Sequence, residues 1–214
     1  MSLAMLLVLA DGRLPSGGHA HSGGLEAAIA SGRVRDVAQV GEFLRGRLAT
    51  SGLVAAAFAA SACARTGRWL DLDGGLDART PSPALRKASR AQGRALMRAG
   101  RAMWAVPDIG REPHHPVALG VLAHAAGLGP LEAAVAAAHG TVTGPASAAV
   151  RLLGLDPYAV HAVIAGLAPD IDRVAADAAA RVHDPVDDLP AAGAPLLDIG
   201  AELHATWEVR LFAS

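Results

Sequence analysis

The chain has 214 residues, of which 52% are hydrophobic and 18% charged, and its formal net charge is −1. These values exclude a predominantly disordered chain and a protein that binds nucleic acid through its overall charge. The single cysteine, Cys63, excludes an intrachain disulfide and a CxxC zinc or redox site. We therefore expect one domain over residues 1–214, in the reducing environment of the cytoplasm.

Small side chains dominate the sequence, which has 24 glycines but only 3% aromatic residues. Ala, Leu and Arg recur at spacings of three and four, and no segment alternates apolar and polar residues. We predict an all-α fold, a single-domain bundle of roughly ten closely packed helices. The charge-free runs 48–64 and 133–150 are predicted to be buried helices and not membrane spans. The apolar segment 3–10 lacks the preceding basic residues of a signal peptide, so we expect no export.

Capping residues and prolines place the predicted helices along the chain. Asp36 with Gln39 forms a capping box, Asp156 precedes Pro157, and other prolines fit first turns. Gly52 is predicted to separate two helices, and Pro145 to kink or break another. The predicted helices cover 3–10, 22–29, 37–49, 53–65, 84–106, segments beginning at Pro116 and Pro130, 157–167, 169–182 and 196–206.

Four segments are predicted to lack regular structure. Residues 11–24 form a glycine-rich loop, and 69–83 form a flexible loop because they contain two glycines and two prolines. Residues 183–195 are predicted to be an exposed acidic loop, and 207–214 a terminal tail.

Catalytic signatures are largely absent from the sequence. It contains no GxxxxGK[ST] phosphate loop, no HExxH zinc motif and no GxSxG nucleophile elbow. We therefore expect a protein that is not an enzyme.

Two pairs of histidines suggest a nickel-binding carrier as one alternative function. His19 and His21 lie in the glycine-rich loop, and His114 and His115 are adjacent. Imidazole suits nickel, but no nearby Cys, Asp or Glu in the loop completes a stable site. The other interpretation is that these are partly buried loop histidines.

An arginine stripe suggests a second alternative, a helical regulator that binds nucleic acid. Arg86, Arg90, Arg94 and Arg98 recur every four residues, flanked by Lys87 and Arg101. Such a row is unfavourable without an acidic partner, which the aspartates of 170–188 or another protein would supply. The stripe lacks aromatic residues for stacking on bases, so a protein partner and a solvated face are the stronger interpretations.

The tail carries three large apolar residues, Trp207, Leu211 and Phe212, where chain ends usually fray. Apolar residues of the preceding helix already supply a face for the core, so we predict that the tail is dispensable for folding and binds a partner. Arg210 would orient that contact through a carboxylate. The predicted core-facing residues of the helix are Leu196, Leu197, Ile199 and Leu203.

Several blocks of the sequence resemble the UreF family of urease accessory proteins, in the family's order and over nearly the whole chain. They are Leu14-Pro15-Ser16-Gly17-Gly18 with Ser22, Gly24, Leu25 and Glu26; Ser89 to Arg94; His115 to Gly120; Ser147 to Leu152; and Pro195 to Ile199 with His204 and Arg210 to Ser214. The sequence departs from the family pattern at His19 and His21, where the family usually has aromatic residues, and at residues 153–156. The first departure favours contact positions over metal ligands.

The resemblance implies an all-α, dimeric scaffold without a cofactor or catalytic activity of its own. Such a protein binds the accessory protein UreD/UreH and recruits the GTPase UreG, and together they load nickel into apo-urease. Modulation of the GTPase belongs to the same expectation, and neither a membrane nor nucleic acid is an expected partner. The predicted partner-binding residues are Leu14, Pro15, Gly17, Gly18, Ser22, Glu26, Arg86, Arg90, Arg94, His204, Trp207, Arg210, Leu211 and Phe212, with no metal ligand among them.

Overall fold

The computed structural model describes residues 3–214, which form ten α-helices and, within that range, no β-strand. This confirms the all-α prediction. Short 3-10 turns at Gly18–Ala20 and Val186–Asp188 interrupt the glycine-rich and acidic loops. The helices are α1 (Leu3–Ala10), α2 (Leu25–Ala30), α3 (Val37–Ala64), α4 (Trp69–Ala78), α5 (Pro83–Arg101), α6 (His115–Ala125), α7 (Pro130–Leu153), α8 (Pro157–Gly166), α9 (Ala168–Ala179) and α10 (Pro195–Ala205).

The alanine-rich second half of α3 lies at the centre of the bundle, packed against α6, α7 and α9. Its contact with α6 is close enough to require glycine at position 120. A Cβ atom there would overlap the carbonyl oxygen of Ala59 and lie 2.7 Å from Cβ of Ala62. Small residues thus bring the helix backbones together, as the composition predicts.

Helix α3 is continuous, so the predicted break at Gly52 is wrong. Leu48–Gly52 adopts a π-helical turn that joins the two halves. A Cβ at position 52 would lie 3.2 Å from Cγ2 of Thr141 on α7. Glycine is therefore present because α7 approaches closely, and not because the helix ends there.

Helix α3 is the one helix among the described residues whose length and composition would allow it to cross a membrane. Within its most apolar window, 61% of the residues are buried inside the bundle. A buried core helix accounts for this composition, as predicted for residues 48–64.

Predicted helix starts are confirmed where a local cap defines them. Asp36 Oδ1 accepts a hydrogen bond from the backbone N–H of Gln39 at 2.8 Å, and the Gln39 side chain accepts one from Arg35. Asp156 accepts in the same way from the N–H of Tyr158 at 3.0 Å. Pro116, Pro130 and Pro157 all occupy first turns.

The predicted flexible loop at 69–83 is wrong, because α4 occupies most of it. Leu72 and Leu76, one turn apart, are buried in the core and hold the helix. A Cβ at Gly75 would overlap Cγ1 of Val186, so this glycine makes room for the acidic loop. Arg79 then binds that loop, donating to the carbonyl oxygens of Val186 at 2.8 Å and Pro190 at 3.0 Å among others.

Two further predictions about helix breaks are corrected. Helix α5 ends at Arg101 and does not extend to 106. Helix α7 runs through Pro145 without a break in the helix. Because proline has no N–H, the carbonyl of Thr141 loses its partner in the helix, and Nε of Arg47 donates to it at 3.3 Å instead.

Candidate partner-binding surface

The C-terminal tail lies against the glycine-rich N-terminal loop. The backbone N–H of Ala213 donates to the carbonyl of Ala20 at 2.7 Å. The carbonyl oxygen of Ser214 accepts from the N–H of Ser22 at 2.6 Å and from its hydroxyl at 2.9 Å. The loop can follow this path because Gly24 has a φ of +90°, which other residues rarely adopt.

The carboxylate of Glu26, which is buried on α2, joins the tail to α10. It accepts hydrogen bonds from the backbone N–H groups of Leu211 at 2.9 Å and Phe212 at 3.1 Å. Nε2 of the buried His204 lies 2.8 Å from the same carboxylate. The imidazole ring of His204 also contacts the indole of Trp207, with centroids 4.8 Å apart. Three donors from two segments therefore depend on one side chain.

The tail is partly built into the core, which argues against the prediction that it is dispensable for folding. Phe212 is only 4% exposed, and the guanidinium of Arg151 lies over its ring at 4.5 Å from the centroid. Ser22, Glu26 and His204 are also buried, and all three take part in the hydrogen bonds that hold the tail in this structure, so their partner role stays a prediction. Leu211, together with Val209 and Arg210, remains exposed.

Helix α10 presents largely the opposite face from the one predicted, since of the four predicted residues only Leu197 is half-buried and packs inward, beside Gly24. Leu196, Ile199 and Leu203, which were expected to face the core, are 64%, 58% and 59% exposed. The buried face carries Gly200, Ala201 and His204. A Cβ at Gly200 would lie 3.4 Å from Cβ of Ala27, so the small face of α10 packs closely on α2.

These exposed side chains form an apolar surface, which we call the α10 surface. It consists of Leu196, Ile199 and Leu203, which share one face of the helix. Beside Leu196 lies an open groove of about 250 Å³, whose apolar lining comes from Ala28, Val34, Phe43 and Leu196. Its polar lining comes from Arg33, Gln39 and Glu42.

The first half of the arginine stripe on α5 is occupied by partners within the chain. Arg90 donates to Asp73 at 2.9 Å and Asp77 at 2.8 Å, both on α4. Arg94 pairs with Glu112, and Arg86 donates to backbone carbonyls of residues 80 and 81. The stripe is therefore neutralised by acidic residues of α4 and by Glu112, and not by the predicted aspartates of 170–188. This half of α5 does not present the row of unpaired positive charges that nucleic acid would need.

The four histidines considered as nickel ligands do not converge on a metal site. The buried His114 is taken up by hydrogen bonds, with Nε2 2.8 Å from Asp77 and Nδ1 3.0 Å from Ser89. Burial lowers the pKa of His115 to about 4, and Nδ1 of His21 lies 2.7 Å from the Ser214 hydroxyl. Over residues 3–214, no group of three or more His, Cys, Asp or Glu side chains has an arrangement that could hold a metal ion.

Comparison with known proteins decides the family. A family model described as UreF matches residues 34–168. A urease accessory protein UreF of Mycolicibacterium vanbaalenii is 48% identical over 221 aligned residues, covering 100% of this chain and 99% of that protein. One of Mycobacterium tuberculosis is 43% identical over 218 residues, with the same coverage. The chain belongs to the UreF family.

The blocks that resemble UreF proteins meet in pairs in the structure. The first block, with Ser22 and Glu26, meets the last block through the hydrogen bonds to the tail. Ser89 of a middle block accepts from the N–H of His115 in the next at 3.1 Å. Pro15 and Gly18 of the N-terminal loop are exposed, whereas Leu14 packs against the core. A partner role for this loop stays a prediction.

One residue at this end of the molecule has no counterpart in the sequence predictions. Arg47 of α3 reaches the glycine-rich loop, and its Nη1 donates to the carbonyl of Gly23 at 2.7 Å. Burial lowers the pKa of Arg47 to about 10. A single arginine outside any motif gives no signal in a sequence, although Pro145 shows that the carbonyl of residue 141 needs a donor.

Proposed function

We propose that this member of the UreF family is a non-catalytic scaffold in urease maturation. It binds the accessory protein UreD/UreH and recruits the GTPase UreG, and the assembly inserts nickel into apo-urease. The relatives are named as accessory proteins of urease, which supports a role in its maturation and not in its reaction.

The observation that carries this proposal is the α10 surface. Three large apolar side chains at helical spacing, Leu196, Ile199 and Leu203, are each more than half exposed beside a groove with apolar lining. Contiguous exposed apolar area of this kind is typical of surfaces that bind other proteins. Val209 and Leu211 of the tail that follows α10 are exposed as well.

The proposal includes a homodimer in the cytoplasm. Exposed Leu3 and Leu7 on α1, distinct from the α10 surface, are available to a second copy. Modulation of UreG is part of the same proposal, with the exposed Arg210 available to it.

Co-purification of tagged variants with UreD/UreH and UreG tests the proposal. The variant Leu203→Asp places a charge in the α10 surface, whereas Leu131→Asp is a control at an exposed leucine on α7. We expect the first variant to lose UreD/UreH and the second to retain it, while both keep the helical circular dichroism of the parent. Equal retention by both variants would refute the assignment of this surface, and failure of the unaltered chain to bind would refute the function.

A further inference from the structure

The guanidinium of Arg47 is only partly used by the chain itself. It donates from Nη1 to the carbonyl of Gly23 at 2.7 Å and from Nε to the carbonyl of Thr141 at 3.3 Å. Both acceptors are neutral, so they satisfy hydrogen bonds without balancing the charge. A guanidinium has five N–H donors, and the other three have no acceptor within residues 3–214.

The unused Nη2 of this guanidinium is not sealed inside the protein. Arg47 is half-buried, and among residues 3–214 the one fully buried side-chain polar atom without a partner is Oγ of Ser61 and not Nη2 of Arg47. The group as a whole is nevertheless packed tightly, since a Cβ at Gly23 would lie 3.1 Å from its Cζ and 2.9 Å from Pro145. A poorly hydrated cation with one accessible edge is a strong receptor for an anion.

The groove beside the α10 surface begins one helical turn from Arg47. Phe43, four residues before Arg47 on α3, lines that groove together with Leu196 of the α10 surface. On its other side, Arg47 donates to the carbonyl of Gly23, and the adjacent Gly24 packs on α10, where a Cβ would lie 3.0 Å from Cδ2 of Leu197. The cation and the apolar row are therefore linked through one turn of α3 and the groove.

We propose that Arg47 and the α10 surface form one docking site, for a protein segment that carries apolar side chains and an Asp or Glu carboxylate. The inference rests on the proposed scaffold function and specifies the chemistry of its partner. The carboxylate binds the free edge of the guanidinium through Nη2, and the apolar side chains cover Leu196, Ile199 and Leu203.

The neighbouring charges favour a single carboxylate over a polyanion. Of the other arginines nearby, Arg45 is neutralised by Glu42 at 2.6 Å, whereas Arg33 in the groove donates to the neutral hydroxyl of Ser31 at 2.8 Å. Isolated cations beside apolar side chains match an acidic residue at the edge of an apolar segment. Nucleic acid and phospholipid surfaces require several cations together.

The test measures the affinity of purified UreD/UreH for this chain by titration calorimetry. Arg47→Met removes the charge and keeps much of the side-chain volume. Arg45→Met is the matched control, because Arg45 lies two residues away on the same helix and is more than half exposed. We expect about 30-fold or greater weakening for Arg47→Met and less than about fivefold for Arg45→Met.

The affinity series separates this inference from the function on which it rests. If the unaltered chain binds and Arg47→Met binds equally well, the docking site is wrong while the scaffold function stands. If the unaltered chain does not bind, the function itself fails, and the inference with it. Raised potassium chloride should weaken the parent complex more steeply than the Arg47→Met complex, and identical salt dependence would contradict a charge contact.

A measurement on the unaltered chain covers the case in which Arg47→Met fails to fold. In protein labelled with 15N-arginine, addition of UreD/UreH should slow exchange of the Arg47 guanidinium protons with solvent, because a carboxylate then accepts from them. Arg47→Lys identifies the signal. Unchanged exchange in a saturated complex would overturn the proposal.

Discussion

Replacement of Glu26 by alanine tests the reasoning about the tail, because one carboxylate serves three donors. Nε2 of His204 and the N–H groups of Leu211 and Phe212 lie within 2.8 to 3.1 Å of it. Alanine leaves all three without an acceptor. A buried unsatisfied donor costs about 1–3 kcal/mol, and the donors of His204 and Phe212 are buried, so we expect a loss of about 3 kcal/mol.

For a chain of this size, about 3 kcal/mol corresponds to a fall in melting temperature of roughly 6–12 °C. Thermal unfolding followed by circular dichroism measures it. Limited trypsin digestion adds a local readout, since Arg210 lies in the tail and should be cleaved faster once the tail is released. Glu208→Ala is the control, because Glu208 is exposed in the same tail. A Glu26→Ala variant that melts within 2 °C of the parent and resists trypsin equally would refute the argument.

Three other predictions follow from the packing and the histidines. Gly120→Ala should lower the free energy of unfolding, measured in urea, by about 1–3 kcal/mol. Gly140→Ala is the control, because a Cβ there would meet open space, and it should raise the free energy of unfolding by about 0.5–1 kcal/mol. Equal effects of the two variants would contradict the close contact of α3 and α6. Because burial lowers the pKa of His115 from 6.5 to about 4, the imidazole is protonated in the unfolded chain but neutral in the folded chain between these two pH values. Stability should therefore be complete above pH 6.5 and decline towards pH 4, by about 2–3 kcal/mol, and His115→Asn should flatten that decline in melting curves taken across the range. The double change His19→Phe with His21→Tyr should preserve urease activation in cells, and loss of activation with normal folding and partner binding would instead indicate a metal role.

Much of the helical fold is predictable because its signals are local. The cap at Asp36 and the first-turn proline at position 157 act within one turn of their own helix, so the sequence is sufficient to place them. Glycine is ambiguous by comparison. Gly52 and Gly75 resemble helix breaks in the sequence, but each marks a place where a distant segment approaches the backbone. That distinction depends on tertiary packing, which the local sequence does not contain.

The candidate site was harder to predict for the same reason. The apolar row on α10 predicts a face towards the core because buried faces are usually the more apolar ones. In the structure the small face packs on α2, where Gly200 permits close approach, and Leu196, Ile199 and Leu203 are left outside. The apolar tail predicts a partner-binding segment, although the donors that fix it to Glu26 are backbone groups, which no side-chain pattern reveals.

The π-helical turn at Leu48–Gly52 decides where α3 can change in length. Such a turn holds one residue more than an α-helical turn. Deleting one residue within it would restore an ordinary α-helical turn and leave the two halves facing nearly the same way, with Phe58 still in the core. Deleting one residue between this turn and Phe58 would instead rotate Phe58 by about 100° away from its buried position. A loss of one codon is thus tolerated best in the segment that looks most irregular.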